Sequence, residues 1–421
     1  MSLIVQKFGG TSVGDADRIR EVADQVARTV RRGNQVVLVV SAMGKETDEL
    51  LRLANDVARH QHGREMDMLI TAGERKAIAL VAMALHDQGI EAASFTGSQA
   101  GFVTDTNHQN AKILELRTER IQEALDAGKV PVVAGAQGVS IDRDVTFLGR
   151  GGSDTTAVAL AYALGAEVCE LYTDVSGVFS ADPRLVPNAR KMAVISFDEL
   201  LEMTATGCPK PAMRSVEFAR SYNVALHVRS AFTWETGTWV RTESDIVKAQ
   251  QDAEGRNVEE HGMEQAGVIA VTSDTGDGKL TVSGLADRPG VAATLFRRLA
   301  DQGVNVDMIV QNMSVDGVTD ISFTVPNEHF SLSLEVARAA LPELGGRDVS
   351  GDEHVAKVSI VGSGMKTDPG VAAKMFETLF EAGINIEMIA TSPIRTSCII
   401  RRDKAEQAVS ALHDAFGLGR S

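Results

Sequence analysis

Four short stretches of the sequence place charged side chains beside glycines at points where regular structure starts or stops. LIVQKFGGTS sets Lys7 at the end of an apolar strand and follows it with Gly9 and Gly10. Lys7 is then either a solvated strand-end charge or an ammonium that approaches an anion together with the N–H groups of a loop stripped of side chains. LGRGGSDTTAVALAYAL puts Arg150 ahead of Gly151 and Gly152, and Ser153, Asp154 and Thr155 at the start of a helix. That is an ordinary capped loop, or a guanidinium beside a helix N-terminus and therefore a receptor for carboxylate or phosphate. MLITAGERKAIALVAMAL carries Glu74 after an apolar run and a glycine, as a solvated acid or a receiver of an ammonium group. LYTDVSGVFSADPR ends a strand in Thr173 and Asp174 and turns at Ser176-Gly177 and Asp182-Pro183.

The elements that must position these residues are legible between them. Up to about residue 240, short apolar runs such as QVVLVVSAM, KVPVVAGAQG and AEVCELYTD alternate with longer helical patterns. That alternation predicts an α/β fold with a mostly parallel sheet between helices, whose ligands bind beyond the carboxyl ends of the strands. The polar stretch TESDIVKAQQDAEGRNVEEHGMEQ follows and reads as a linker.

The last third repeats itself. KLTVSGLADRPGVAATLFRRLADQGVNVDMI and KVSIVGSGMKTDPGVAAKMFETLFEAGINIEMI share PGVAA, a helical Phe, a Gly, an Asn and Met-Ile in register after a two-residue insertion. Each copy reads strand, Pro-Gly turn, amphipathic helix, Gly stop and strand. With the following TDISFTV or RTSCIIR strand and a further helix it becomes a ferredoxin-like βαββαβ unit. The copies are duplicated structural domains, or each helix start offers N–H groups to a carboxylate, with the amides of Asn305 and Asn385 beside it.

Composition narrows the function classes. The 421 residues allow two or three domains. A formal net charge of −15 leaves no electrostatic footprint for nucleic acid. Cys169, Cys208 and Cys398 are scattered and odd in number, which fits neither a disulfide framework nor a zinc site. No apolar run approaches the roughly 20 residues that span a bilayer, and no export signal opens the chain. A reducing cytoplasm is the expected setting.

No single stretch is specific, but their order is. KFGGTS, SAMGKETDEL, TAGER, TGSQAG, VAGAQG, LGRGGSDTTA, YTDVSGVFSADPR and RSVEFA follow one another as in aspartate kinases, and the tail is similar to that family's paired ACT domains. The resemblance covers essentially the whole chain. It implies an amino-acid kinase domain over 1–245, a linker over 246–265 and ACT units over 266–345 and 346–421. It implies transfer of phosphate from ATP, with Mg²⁺ held mainly by ATP phosphates and water, to the β-carboxylate of L-aspartate. The product, 4-phospho-L-aspartate, opens the lysine, threonine and methionine branch.

The same resemblance implies residue roles. Lys7 and Asp154 are catalytic, Asp154 orienting Lys7 rather than removing a proton. Ser41, Thr47, Glu74, Arg150, Gly151, Gly152 and Ser153 bind aspartate, Arg150 at the α-carboxylate and Glu74 at the α-ammonium. Lys7, Gly9, Gly10, Ser12, Thr173, Asp174, Phe179, Asp182, Arg184 and Lys210 bind the nucleotide. Asp287, Pro289, Gly290, Asn305, Gln311 and Asn385 bind an effector, lysine or threonine. A homo-oligomer through ACT pairing is expected, with Met263 a candidate start of a separate regulatory subunit.

Two segments depart from the family pattern. GCPKPAMRSVEFA has Pro209 where a nucleotide-reaching lysine is usual and Lys210 one place later, and TSPIRTS has Pro393 in place of a glutamate. Proline fixes φ and removes a donor, so the first departure bears on ATP binding and the second on feedback control. A glutamate-directed kinase and a catalytically weak amino-acid sensor are the competing readings. TAGER with the ACT pair argues against the first, and intact Lys7, Glu74, Arg150 and Asp154 argue against the second.

Overall fold

The structure is a computed structural model that describes residues 2–59, 62–246, 267–312, 317–363, 365 and 368–419. The chain forms two compact units: residues 2–178, 191–204 and 209–246, and residues 179–190, 205–208 and 267–419. Apart from Ile246, the expected linker 246–265 lies outside the described residues, as does Met263.

The first unit is built on an eight-stranded sheet. In spatial order its strands are Val194–Ser196, Thr238–Arg241, Leu226–Ser230, Val168–Thr173, Leu3–Phe8, Gln35–Val40, Val130–Ala134 and Ala92–Phe95. All pairings are parallel except that of Leu226–Ser230 with Thr238–Arg241. Continuous Val and Leu runs suit strands covered on both faces, and Val36, Val37, Leu38, Val39 and Val40 are all buried. Helix Ala16–Arg31 starts on the Asp15 side chain, which accepts from Arg18 N, and buries Ile19, Val22, Ala23 and Val26. Each such aliphatic side chain removed from water contributes about 1.5–3 kcal/mol. Leu3–Phe8, Gln35–Val40 and Val168–Thr173 run in register, so their carboxyl ends open on one edge. A smaller sheet orders Ile113–Leu116, Phe102–Thr104, Gln137–Ser140 and Val145–Phe147.

The second unit contains two four-stranded sheets. The first repeat runs Asp277–Ala286, helix Val291–Asp301, Ile309–Gln311, Val318–Pro326, helix Phe330–Leu344 and Asp348–Asp352, all six elements of a βαββαβ unit. The second runs Val355–Gly362, helix Pro369–Glu381, Met388–Ser392, Arg395–Arg401 and helix Ala405–Ala415. Its sixth element comes from upstream of both repeats: Val268–Asp274 pairs antiparallel with Val355–Gly362, as Asp348–Asp352 pairs with Asp277–Ala286 in the first. Strand pairing therefore crosses the 345/346 division that the resemblance implied. The reason is that the repeat signal lies in the strand-turn-helix motif, and an edge strand carries little of it.

Among the ion pairs that join the repeats, two are reciprocal. Lys279 pairs with Glu387, and the equivalent Lys357 lies 2.6 Å from Asp307, the counterpart of Glu387. Met308 and Met388, also equivalent, share a small apolar cluster with Val355 and Ile399. Residues 179–190 pack within this unit too. Ser180 Oγ lies 2.9 Å from His413 Nε2 and donates to Leu418 O, and Phe179 packs on the second repeat's core.

Candidate active site

Lys7 is the last residue but one of the strand Leu3–Phe8, and it is buried rather than solvated, at 4% exposure. Its Nζ lies 2.5 Å from Asp154 Oδ1. Strand-end lysines contribute little to packing in general, and this one departs from that expectation because a buried carboxylate depends on it. Burial pulls the Asp154 carboxyl upward, but the Lys7 ammonium, the Lys210 charge and the Ala212 N–H together hold it below its ordinary value. Ala212 N donates to Asp154 Oδ2 at 3.1 Å.

The glycines after Lys7 shape the space around its ammonium. A Cβ on Gly9 would lie 3.6 Å from Lys7 Nζ, and one on Gly10 would lie 2.7 Å from Ala42 O, too close for any side chain. Gly44 N donates to Gly10 O at 2.9 Å, so the loops after the first two strands close on each other. Ser12, buried in the short 3-10 turn Gly10–Val13, leaves its Oγ without a hydrogen-bond partner.

Helix Gly152–Ala163 starts on Gly151, in the left-handed region at φ 75°. The sequence pointed to Ser153 or Asp154 as the cap. Both instead lie inside the first turn, because Asp154 is turned to Lys7 and Ala212. A Cβ on Gly151 would lie 2.3 Å from Ala212 Cβ, and one on Gly152 2.8 Å from Ala136 Cβ, so the turn can be made only by glycines. Arg150 is exposed at its mouth. Glu74 lies in the first turn of helix Ala72–Asp87 and is 3% exposed. Burial pushes its carboxyl up to about 7, against the lowering pull of its own N–H, the Ala42 N–H and the Gln137 side chain. Its Oε2 has no hydrogen-bond partner. Ser41 follows strand Gln35–Val40, and Thr47 lies half-buried in helix Glu46–Val57.

Thr173, buried at the end of its strand, makes a tight turn with Val175, while Asp174 and Lys210 are exposed. Phe179, Asp182 and Arg184 belong to the second unit, where Asp182 and Arg184 pair with each other at 2.6 Å. In the repeats, Asp287, Pro289, Gly290, Asn305, Gln311 and Asn385 are all exposed. Gly290 starts helix Val291–Asp301 with no side-chain cap, whereas the equivalent start of the second repeat is capped by Asp368, which accepts from Gly370 N at 2.8 Å.

Several residues that organise this region carry no local signal in the sequence. Asp67, wholly buried, accepts hydrogen bonds from residues 41 to 80 positions away. Arg214 donates to Leu148 O and Ala111 O, and Gln137 to Thr71 O. Among the described residues no cluster of three or more His, Cys, Asp and Glu is placed to hold a metal, and no helix is long and apolar enough to cross a membrane.

The amino acid kinase family pattern matches residues 2–230, and the ACT domain pattern matches 280–341 and 358–416. Aspartokinases of Mycolicibacterium smegmatis and Corynebacterium glutamicum are 52% and 49% identical, each over 100% of this chain and 97% of its own length. The crystal structure of aspartate kinase from Synechocystis is 42% identical, covers 100% of this chain and 70% of its own, and superposes with a TM-score of 0.54. Aspartokinase III of E. coli, in complex with aspartate and ADP, shares the fold with a TM-score of 0.79 at 23% identity, over 98% of this chain and 99% of its own. With half its residues shared along its full length and the family pattern over its sheet domain, the chain belongs to the aspartokinases of the amino acid kinase family.

Proposed function

We propose that this chain transfers the γ-phosphoryl group of ATP to the β-carboxylate of L-aspartate, giving ADP and 4-phospho-L-aspartate. The observation that carries the reading is the buried Lys7–Asp154 pair beside a glycine loop at the carboxyl edge of the sheet. The name shared by relatives half identical to the chain supplies aspartate as the acceptor.

A β-carboxylate oxygen attacks the γ-phosphorus as the bond to the bridging oxygen of ADP breaks. The acceptor, with a reference pKa of about 3.9, is already ionised at neutral pH, so no proton is removed and no general base is needed. Lys7, with the Gly9, Gly10 and Ser12 loop, neutralises charge spreading over the transferring oxygens. Asp154, held ionised by Lys7, aims that side chain. Arg150 holds the α-carboxylate with the Gly151 and Ser153 N–H groups, Gly152 shaping the turn by donating its own N–H to Gly149 O. Glu74 receives the α-ammonium, and Ser41 and Thr47 orient the substrate. Thr173, Asp174 and Lys210 contact the nucleotide. Among the described residues the carboxylate paired with Lys7 is already engaged, so Mg²⁺ would be held by ATP oxygens and water, where it would supply charge neutralisation.

Residues 1–245 serve as the catalytic domain, and the two ACT units, the first running on to Asp352 and the second taking in Val268–Asp274, as a regulatory pair in a cytoplasmic homo-oligomer. Their effector is lysine or threonine. The uncapped helix start at Gly290 suits its carboxylate better than the start that Asp368 occupies. An ADP-release assay with L-aspartate, L-glutamate and no acceptor tests the reaction: release that depends on aspartate alone is expected, and equal release with glutamate or none with aspartate overturns it.

A further inference from the structure

We infer that Asp67 is a positioning residue that holds the Arg150 loop and the Glu74 helix in fixed relation, and so sets the amino-acid clamp. The inference rests on the aspartate kinase reading and deepens it. Asp67 lies in helix Arg64–Ile70 with no exposed surface. Burying a carboxylate costs several kcal/mol unless donors saturate it, and here three donors do. His108 Nδ1 lies 2.7 Å from Oδ2, Phe147 N donates to Oδ2 at 3.0 Å, and Gln109 N donates to Oδ1 at 2.9 Å.

Each of these bonds leads toward Arg150. Phe147 ends the strand that continues as Leu148, Gly149 and Arg150. Gln109 adopts φ 64° without being a glycine, a conformation that persists only where its surroundings enforce it. Its carbonyl stands so near Gly149 that a Cβ there would lie 2.9 Å away, so the two loops approach closely only because residue 149 is a glycine. The turn at 108–110 is thus a wedge under the Arg150 loop, and Asp67 fixes the wedge.

The main chain of the same residue leads to Glu74. Asp67 O accepts from Thr71 N at 3.1 Å and from Thr71 Oγ1 at 2.8 Å. Thr71 is the junction from which helix Ala72–Asp87 and Glu74 depart. One residue therefore ties the group proposed for the α-ammonium to the loop proposed for the α-carboxylate, and with the β-carboxylate held at the phosphoryl group these three points read the configuration at the substrate's Cα.

The test is steady-state kinetics of the full-length chain with L- and D-aspartate. Asp67→Asn keeps the volume but turns one acceptor into a donor against an N–H. It is expected to raise KM for L-aspartate about tenfold with KM for ATP within about twofold, and to narrow the preference for L- over D-aspartate. Arg64→Ala breaks the ion pair from the same helix to Asp144 and is expected to leave these constants alone, separating positioning from general loosening. Should Asp67→Asn not fold, His108→Ala removes one donor and is expected to raise KM for aspartate about threefold. Unchanged aspartate KM and L/D preference in the folded variant, or equal shifts for ATP and aspartate, overturns the inference alone. Absence of aspartate-dependent turnover in the unaltered protein overturns both it and the function on which it rests.

Discussion

Gln6 and Lys7 are neighbours in one strand, and the pleat sends them to opposite faces of the sheet, where each meets a buried carboxylate. On the Gln6 face both oxygens of Glu170 are taken: Gln6 Nε2 at 2.8 Å and Tyr172 OH at 2.9 Å donate to one, and Arg229 Nη1 at 2.9 Å donates to the other. His227 Nδ1 stands 3.6 Å away. Burial raises the Glu170 carboxyl, yet His227, Gln6 and Arg229 bring it down to about 2. On the other face Asp154 meets Lys7 and the Ala212 N–H at the carboxyl ends of the strands; Gln6 Oε1, His227 Nε2 and Arg229 Nε around Glu170 have no partner, and neither do Ser12 Oγ and Glu74 Oε2. A carboxylate whose acceptors are filled holds the sheet together. A lysine–carboxylate pair at the ends of the strands, beside a glycine loop, is arranged for something that arrives from solution.

The largest break in that contrast comes from Lys7. Lys7→Ala is expected to lower kcat about a thousandfold, near 4 kcal/mol of lost transition-state stabilisation, and to lower Tm as well because Asp154 is left buried alone. Wild-type kcat in the folded variant would remove Lys7 from the reaction. Glu170→Gln should do the reverse, costing about 3 kcal/mol of stability in a denaturant titration while kcat and both KM values stay within about threefold. The stability from Glu170 is present above its ordinary value of 4.5 and is lost as pH falls toward about 2, so the difference between the two proteins should shrink in acid.

A smaller effect sharpens the assignment of the open side. Arg150→Ala is expected to raise KM for aspartate about thirtyfold, near 2 kcal/mol, with KM for ATP little changed. A change in the ATP constant instead assigns Arg150 to phosphate. The smallest effect is read from pH. Glu74, with its carboxyl at about 7, must be ionised to receive an ammonium, so kcat/KM for aspartate should rise about tenfold between pH 6 and 8. Glu74→Gln should flatten that limb at a lower level. Because its folded value exceeds the ordinary 4.5, its contribution to stability is full below that pH and lost as pH rises through about 7. A thermal-melt series in which the variant gains on the parent with rising pH checks the sign.

What was legible in the sequence was what is local. Lys7 with its glycines and Arg150 with its own sit in contiguous stretches whose residue types state the geometry. The doubled strand-turn-helix motif gave away the repeats because both copies keep PGVAA in register. Asp67 could not be read this way, since its donors at 108, 109 and 147 come near only through the fold. The open ends of Ser12 and Glu74 were equally invisible, because an unfilled valence has no sequence signature. SADPR read as nucleotide loop by resemblance, whereas its packing beside His413 and Leu418 depends on residues more than 200 positions downstream.

The upstream strand of the second repeat has a consequence for how the chain is made. Val268–Asp274 leaves the ribosome more than 80 residues before Val355–Gly362, its pairing partner, is complete, and the whole first repeat emerges between them. That repeat can close on itself during synthesis, as its strands are contiguous. The second must wait with an unpaired edge, a high-contact-order step of the kind that slows folding and invites aggregation. A fragment translated from Met263 would still carry the early strand. One beginning at Asp277 would be born without it, and should be the one that goes to inclusion bodies.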